Sequence, residues 1–182
     1  GTLYLNRRSR FHPWLIGGRQ ENGRRGGTEN VASIVALGRA AELAAHHRSE
    51  EEIRVRALRD QFEQGLLSRI PGAEINGADA PRLPNTSNLA FEGIESEGAL
   101  LLLDEAGICC SAGSACTTGL IHPSHVLKAM GCSDERARSS LRFSFGRFNQ
   151  ESEVTYALET SPAVIAKLRA LHPAAGSPVL VS

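Results

Sequence analysis

Lysine is nearly missing from this sequence: of 20 basic side chains, Lys128 and Lys167 are the two lysines and the other 18 are arginines. Chemistry that needs a lysine amine therefore has two candidates. Cysteine is also scarce. Cys109, Cys110, Cys116 and Cys132 lack the density and regular spacing of a secreted disulfide scaffold, and a reducing, cytoplasmic setting is expected. No apolar run is long enough to cross a bilayer. Neither sign of charge is in excess, with 20 acids against 20 bases and an isoelectric point near 7.2, so nothing favours whole-chain attraction to nucleic acid or anionic lipid. Any anion binding has to be local. The first residues, GTLYLNRRSR, contain neither an initiator Met nor the apolar stretch of a signal peptide, and the chain is expected to begin partway through a longer sequence. What remains is 182 residues, 41% hydrophobic and 22% charged. This is the composition of a soluble globular protein with one domain, or with a small domain and a piece of another.

Along the chain, TLYL at 2–5 reads as a short strand, and FHPWLIGGRQENGRRGGTEN as a Gly- and Arg-rich loop. From about Asn30, VASIVALGRAAELAAHH spaces Val31, Ile34, Val35, Leu37 and Leu43 as in a well-buried helix. SEEEIRVRALRDQFEQGLLSRI then predicts a second helix capped by Ser49, with Ile53, Leu58, Phe62, Leu66 and Ile70 on one face. The HHRS between them is the expected domain boundary, giving 1–47 and 48–182. Pro71-Gly72 ends the second helix, and a short strand, a loop and the strand NLAFE follow. SEGALLLLDEAG predicts a helix with Gly107 past its end, ICCS a short apolar strand, AGSACTTGLIHP a loop, and SHVLKAMG a helix starting at Ser124. In the strand SSLRFSFG, Leu141, Phe143 and Phe145 share one face while Arg142 and Ser144 take the other. ESEVTYALETSPAVIAKLRAL returns as a helix interrupted or kinked at Pro162, before a loose tail, HPAAGSPVLVS. The alternation predicts a small α/β domain with helices packed on a sheet, without internal repeats.

Cys116 is the sharpest chemical feature. Gly113, Ser114, Ala115, Thr117, Thr118 and Gly119 surround it with small residues, so an accessible, reactive thiol on a mobile loop is expected rather than a buried one. Cys109 and Cys110, in an apolar strand, are expected to be buried, and Cys132 to be incidental. Arg142 stands on a rigid strand, where its fork can hold a carboxylate or form a surface ion pair. Arg147 reads as structural or surface. In Arg24-Arg25-Gly26-Gly27-Thr28-Glu29-Asn30, glycines and a hydroxyl precede a helix, which suits a phosphate; simple N-capping by Thr28 is the equal alternative. Cys110, Cys116, His122 and His125 fit no standard zinc spacing, so no dedicated metal site is expected. His12, His46, His47 and His172 read as surface or boundary residues.

Taken in order, GGRQENGRRGGTEN, SAGSACTTGLIHPSHVLKAMG and SSLRFSFGRF resemble the C-terminal part of a NifS/IscS-type cysteine desulfurase, a class V aminotransferase-like family, over nearly the whole chain. The resemblance implies a pyridoxal-phosphate (PLP) transferase of fold type I, like aspartate aminotransferase. Residues 1–47 would be the end of its large PLP-binding domain and 48–182 its small C-terminal α/β domain. It implies a homodimer that converts L-cysteine to L-alanine and holds the sulfur as a persulfide. An iron–sulfur scaffold, or another acceptor protein, would receive that sulfur. By the same resemblance Cys116 matches the persulfide-forming nucleophile and serves as a transient iron–sulfur ligand with a partner, no metal being intrinsic. Arg142 matches the substrate-carboxylate clamp. Thr28 matches a residue reaching across the dimer to the other subunit's PLP phosphate. The Schiff-base lysine of the family lies in a Ser-x-His-Lys segment that neither Lys128 nor Lys167 matches, and the residues that stack on the cofactor and pair with its ring nitrogen are also not here. This chain alone is therefore expected to be inactive. Ala112 replaces the usual Ser of SSGSAC, and Cys110 beside Cys109 and Pro162 in the last helix are further departures. A selenocysteine lyase-type enzyme, or a non-catalytic sulfur-carrier or scaffold module of the same fold, is the alternative.

Overall fold

The structure, a computed structural model, describes residues 2–112 and 123–171. The chain divides into two compact units, Gly1–Arg48 and Ser49–Ser182.

The first unit has no core of its own: Gly26 is its single buried residue among those described. Thr2–Leu5 form no strand, because a strand needs a ladder partner and none is described beside them. Gln20–Gly23 make one short turn, α1, with Glu21 and Asn22 left-handed at φ 51° and 58°. Two backbone stretches cross here. Gly26 donates to the Leu15 carbonyl at 2.8 Å, and a Cβ on Gly26 would lie 2.9 Å from the Gly17 Cα, so the crossing requires glycine. The apolar residues expected to bury a helix, Val31, Ile34, Val35, Leu37 and Leu43, are exposed instead, since this unit offers no sheet for them to cover.

Two helices were expected where there is one, α2 (Val31–Arg69). Neither Gly nor Pro occurs in HHRS, and His, Arg and Ser are tolerated in a helix interior, so Ser49 is an interior residue and not a cap.

In the second unit the order continues β1 (Ala73–Ile75), β2 (Thr86–Phe91), α3 (Ser96–Glu105), β3 (Ser111–Ala112), α4 (His125–Ala129), α5 (Asp134–Arg138), β4 (Ser140–Ser144) and α6 (Glu151–Leu171). The strands form one antiparallel sheet in the order β1-β2-β4-β3. One face is apolar. Leu89, Phe91, Leu141 and Phe143 pack with Leu58, Phe62 and Leu66 of α2, Ala99 and Leu103 of α3, and Leu158, Ile165 and Leu168 of α6. Phe62 meets Phe143 edge-on, the centroids 4.8 Å apart. Ile53 does not join this stripe; it is exposed, one step off the 55, 58, 62, 66 repeat. α6 runs unbroken through Pro162. α5 was not foreseen, though Ser133 caps it by accepting from the Arg136 amide at 3.1 Å. The tail from residue 172 lies outside the described residues.

Candidate functional site

Strand alternation turns every second residue of the sheet away from that core. Cross-strand register then lines up four polar residues, three on strands β2, β4 and β3 and one immediately after β1. Asn76, just past β1, donates its amide N–H to the Asn88 carbonyl at 2.8 Å; Asn88 on β2 stands opposite Arg142 on β4; and Arg142 stands opposite Ser111 on β3. The row Asn76, Asn88, Arg142, Ser111 thus crosses the whole sheet.

Its two ends are tied down. At one end Asn76, itself buried, donates from Nδ2 to Asn88 Oδ1 at 2.6 Å and to Ser140 Oγ at 2.9 Å. Its Oδ1 accepts from Arg136 Nε at 2.6 Å and, weakly, from Cys132 Sγ at 3.7 Å, so Cys132 belongs to this network. Arg136 also pairs with Glu74 and donates to the Ile75 carbonyl at 3.2 Å. At the other end Arg142 Nη2 donates to Ser111 Oγ at 3.4 Å. Arg142 is exposed, and among the described residues it forms no ion pair. The surface-ion-pair reading therefore lacks its acid. Sequence reasoning reached Arg142 and missed Asn76, Asn88, Ser111 and Arg136; alternation against Leu89 and Phe91 is a signal that could have put Asn88 opposite the apolar face, but only register pairs it with Arg142.

Thr28 belongs to the first unit. The cap of α2 is Asn30, whose Oδ1 accepts from the Ser33 amide at 3.1 Å, so Thr28 is not the capping residue. Arg25 Nη1 is turned onto carbonyls, those of Gly26, Gly27 and Thr28 at 3.1, 2.7 and 3.4 Å. With its carbonyls so occupied, this segment leaves the exposed Thr28 hydroxyl and the Gly27 and Thr28 amides without acceptors among the described residues. A hydroxyl and two amide donors before a long helix fit a phosphate group.

Cys116 and His122 lie outside the described residues. Cys109 is exposed, against expectation, because 108–110 does not enter the sheet and β3 is limited to Ser111–Ala112. Cys110 is half-buried, and burial above all pushes its thiol up to about 11. His125 begins α4, and among the described residues no three His, Cys, Asp or Glu side chains gather as a metal site would need. Among the described residues no helix is long and apolar enough to cross a membrane.

The aminotransferase class-V family pattern matches residues 1–156. A cysteine desulfurase of Gluconacetobacter diazotrophicus is 54% identical over 173 residues, which cover 95% of this chain and 43% of that protein. The cysteine desulfurase NifS of Azotobacter vinelandii is 49% identical over the same shares. Among solved structures, a NifS-like protein from Rickettsia africae superposes with a TM-score of 0.74 at 32% identity, covering 85% of this chain and 40% of that one. The chain thus spans less than half the length of the relatives it matches.

Proposed function

The chain belongs to the aminotransferase class-V family, and from that membership we propose that it carries the substrate-binding and sulfur-accepting residues of a cysteine desulfurase, with L-cysteine as substrate and L-alanine as product. The observation that carries the reading is Arg142: a guanidinium on an inner strand of the sheet, exposed, with no carboxylate partner among the described residues. Such a fork is matched to a substrate carboxylate. The names of the relatives, cysteine desulfurases at about half identity, support the reaction.

In this reading Arg142 orients the amino acid by its carboxylate. Cys116 is the acceptor: its thiolate forms a bond to the substrate sulfur as the Cβ–S bond breaks, the electron pair leaves with Cβ, and protonation there gives L-alanine. The sulfur remains on Cys116 as a persulfide, which an acceptor thiolate such as that of an iron–sulfur scaffold protein then takes, in the cytoplasm. Pyridoxal phosphate, when bound, supplies the electron sink for this bond cleavage. The Thr28 hydroxyl and its neighbouring amides would hold the phosphate of that cofactor, across a homodimer. Neither Lys128 nor Lys167 stands in a Ser-x-His-Lys context, so in this reading neither would hold the cofactor covalently.

The test is single-turnover sulfur transfer in the full-length, cofactor-loaded protein. Cys116→Ser is expected to abolish persulfide formation and keep the cofactor's visible absorbance; Arg142→Ala is expected to weaken L-cysteine binding by about 1.5–3 kcal/mol, the value of a charge-assisted hydrogen bond. Persulfide formation at the normal rate in Cys116→Ser would sink the assignment.

A further inference from the structure

We propose that Asn88 is a second donor to the substrate carboxylate, acting beside Arg142. This rests on the reading of Arg142 as the carboxylate clamp and adds a residue to it.

The donor chain begins at Arg136. A guanidinium has only donors, so the Asn76 oxygen has to face Arg136 Nε, 2.6 Å away. That turns the Asn76 amide nitrogen toward Asn88 and Ser140. The Ser140 hydroxyl donates its proton to the Arg136 carbonyl at 2.6 Å, so it accepts from Asn76. Asn88 in turn has to offer its oxygen to Asn76 Nδ2, at 2.6 Å. Its own NH2 then faces away from Asn76, with no acceptor among the described residues. The orientation of the Asn88 amide is therefore dictated by an arginine two residues away in the network.

Arg142 is directly across the ladder from Asn88. Opposed residues in an antiparallel pair have Cβ atoms roughly 5 Å apart, so a carboxylate gripped by the Arg142 fork lies within reach of an amide on Asn88. No acid stands in the row, and its other member beside Arg142, Ser111, is neutral. One cation and one pre-oriented NH2 suit the single charge of an α-amino acid carboxylate. An amide already held from behind loses little freedom on binding.

The experiment compares L-alanine, the proposed product, with ethylamine, the same molecule without its carboxylate. Equilibrium affinities for both are read from the cofactor absorbance of the full-length, cofactor-loaded protein, in the wild type and in Asn88→Ala, Asn88→Asp and Arg142→Ala. The ratio of the two affinities within one variant cancels any general loosening of the fold. The preference for L-alanine is expected to fall about tenfold in Asn88→Ala, and further in Asn88→Asp, whose charge repels the ligand, while ethylamine binds as before. Should the Asp variant fail to fold, Asn88→Ser, which is neutral and too short to present the amide, carries the expectation given for Asn88→Ala. A preference kept in every Asn88 variant but lost in Arg142→Ala overturns the role of Asn88 and leaves that of Arg142 standing. A preference kept in Arg142→Ala as well overturns the clamp itself. Equal loss of both ligands in the Asn88 variants also overturns the proposal.

Discussion

Arg82 grips Glu63 with both terminal nitrogens, at 2.6 and 3.0 Å, and the carboxylate it holds is almost wholly buried. Arg59 Nε lies 3.8 Å from the same carboxylate, and its Nη1 donates to the Leu83 carbonyl at 3.0 Å. One buried cluster on α2 thus anchors the long connection between β1 and β2. The bond from Glu63 raises the Arg82 guanidinium further above its ordinary value, against the opposing effect of burial.

Taking away one member of such a cluster leaves its partners buried and unpaired, at a cost of about 3–5 kcal/mol. Glu63→Gln is accordingly expected to lower the stability of the second unit by about 3 kcal/mol in urea unfolding. A change below about 1 kcal/mol would mean that water reaches the pair and that the anchor is superficial.

Gly65 lies inside α2, where alanine is favoured over glycine by about 1 kcal/mol on helix propensity alone. Packing reverses the sign. A Cβ at this position would fall 2.5 and 2.6 Å from the two methyl carbons of Leu158 on α6, a buried core side chain with little room to turn. Gly65→Ala is expected to destabilise by about 1–3 kcal/mol in the wild type, and by less than that when introduced into Leu158→Ala, where the clashing methyls are gone. Additive losses in the double variant would show that the two residues do not meet.

The second unit was largely readable from residue order. Period-two alternation in SSLRFSF fixed which face Arg142 takes, and Gly107 and Gly131, both at positive φ, ended the helices they follow. What failed was whatever depended on a partner surface. The apolar spacing of Val31, Ile34 and Val35 is real, but burial also needs something to pack against, and the first unit supplies nothing. Likewise, Asn88 was visible on its strand, whereas its position opposite Arg142 arises from pairing residues 54 apart in sequence. Cys116 lies outside the described residues, so its assignment rests on sequence resemblance.

Glu153 shows a signal that was available and passed over. Its Oε2 accepts from the Gln150 amide at 3.0 Å and from Asn149 Nδ2 at 2.9 Å, closing the first turn of α6 from the third helical position. The hydrogen bond from Asn149, then that from Gln150, holds the carboxyl below its usual value. Because the folded value is lowered, the stabilisation is present above the ordinary glutamate value near 4.3 and is lost as pH falls through the lower folded value. Glu153→Gln is expected to flatten the acid limb of the stability curve in that window, by lowering stability at neutral pH and leaving it little changed below the folded value. An acid limb identical to the wild type would remove Glu153 from the cap.

Cys109 and Cys110 are adjacent in sequence and unlike in chemistry. Cys109 is exposed, while Cys110 turns inward and packs against the core cluster. Burial, then the neighbouring Cys109, then Asp104 push the Cys110 thiol up from 9.0 to about 11. A thiol raised in the folded state favours folding while protonated, so its contribution is full below about pH 9 and is lost as pH climbs through 11. The thiolate is the reacting species, so iodoacetamide at neutral pH should label Cys109 quickly and leave Cys110 almost untouched. Cys110 should be captured only toward pH 11 or once urea opens the core. Tandem mass spectrometry of the labelled peptide separates the two positions. Equal labelling at neutral pH would mean that Cys110 is not held by the core, and that the turn from 108–110 into β3 opens readily enough to expose the strand bearing Ser111 to solvent.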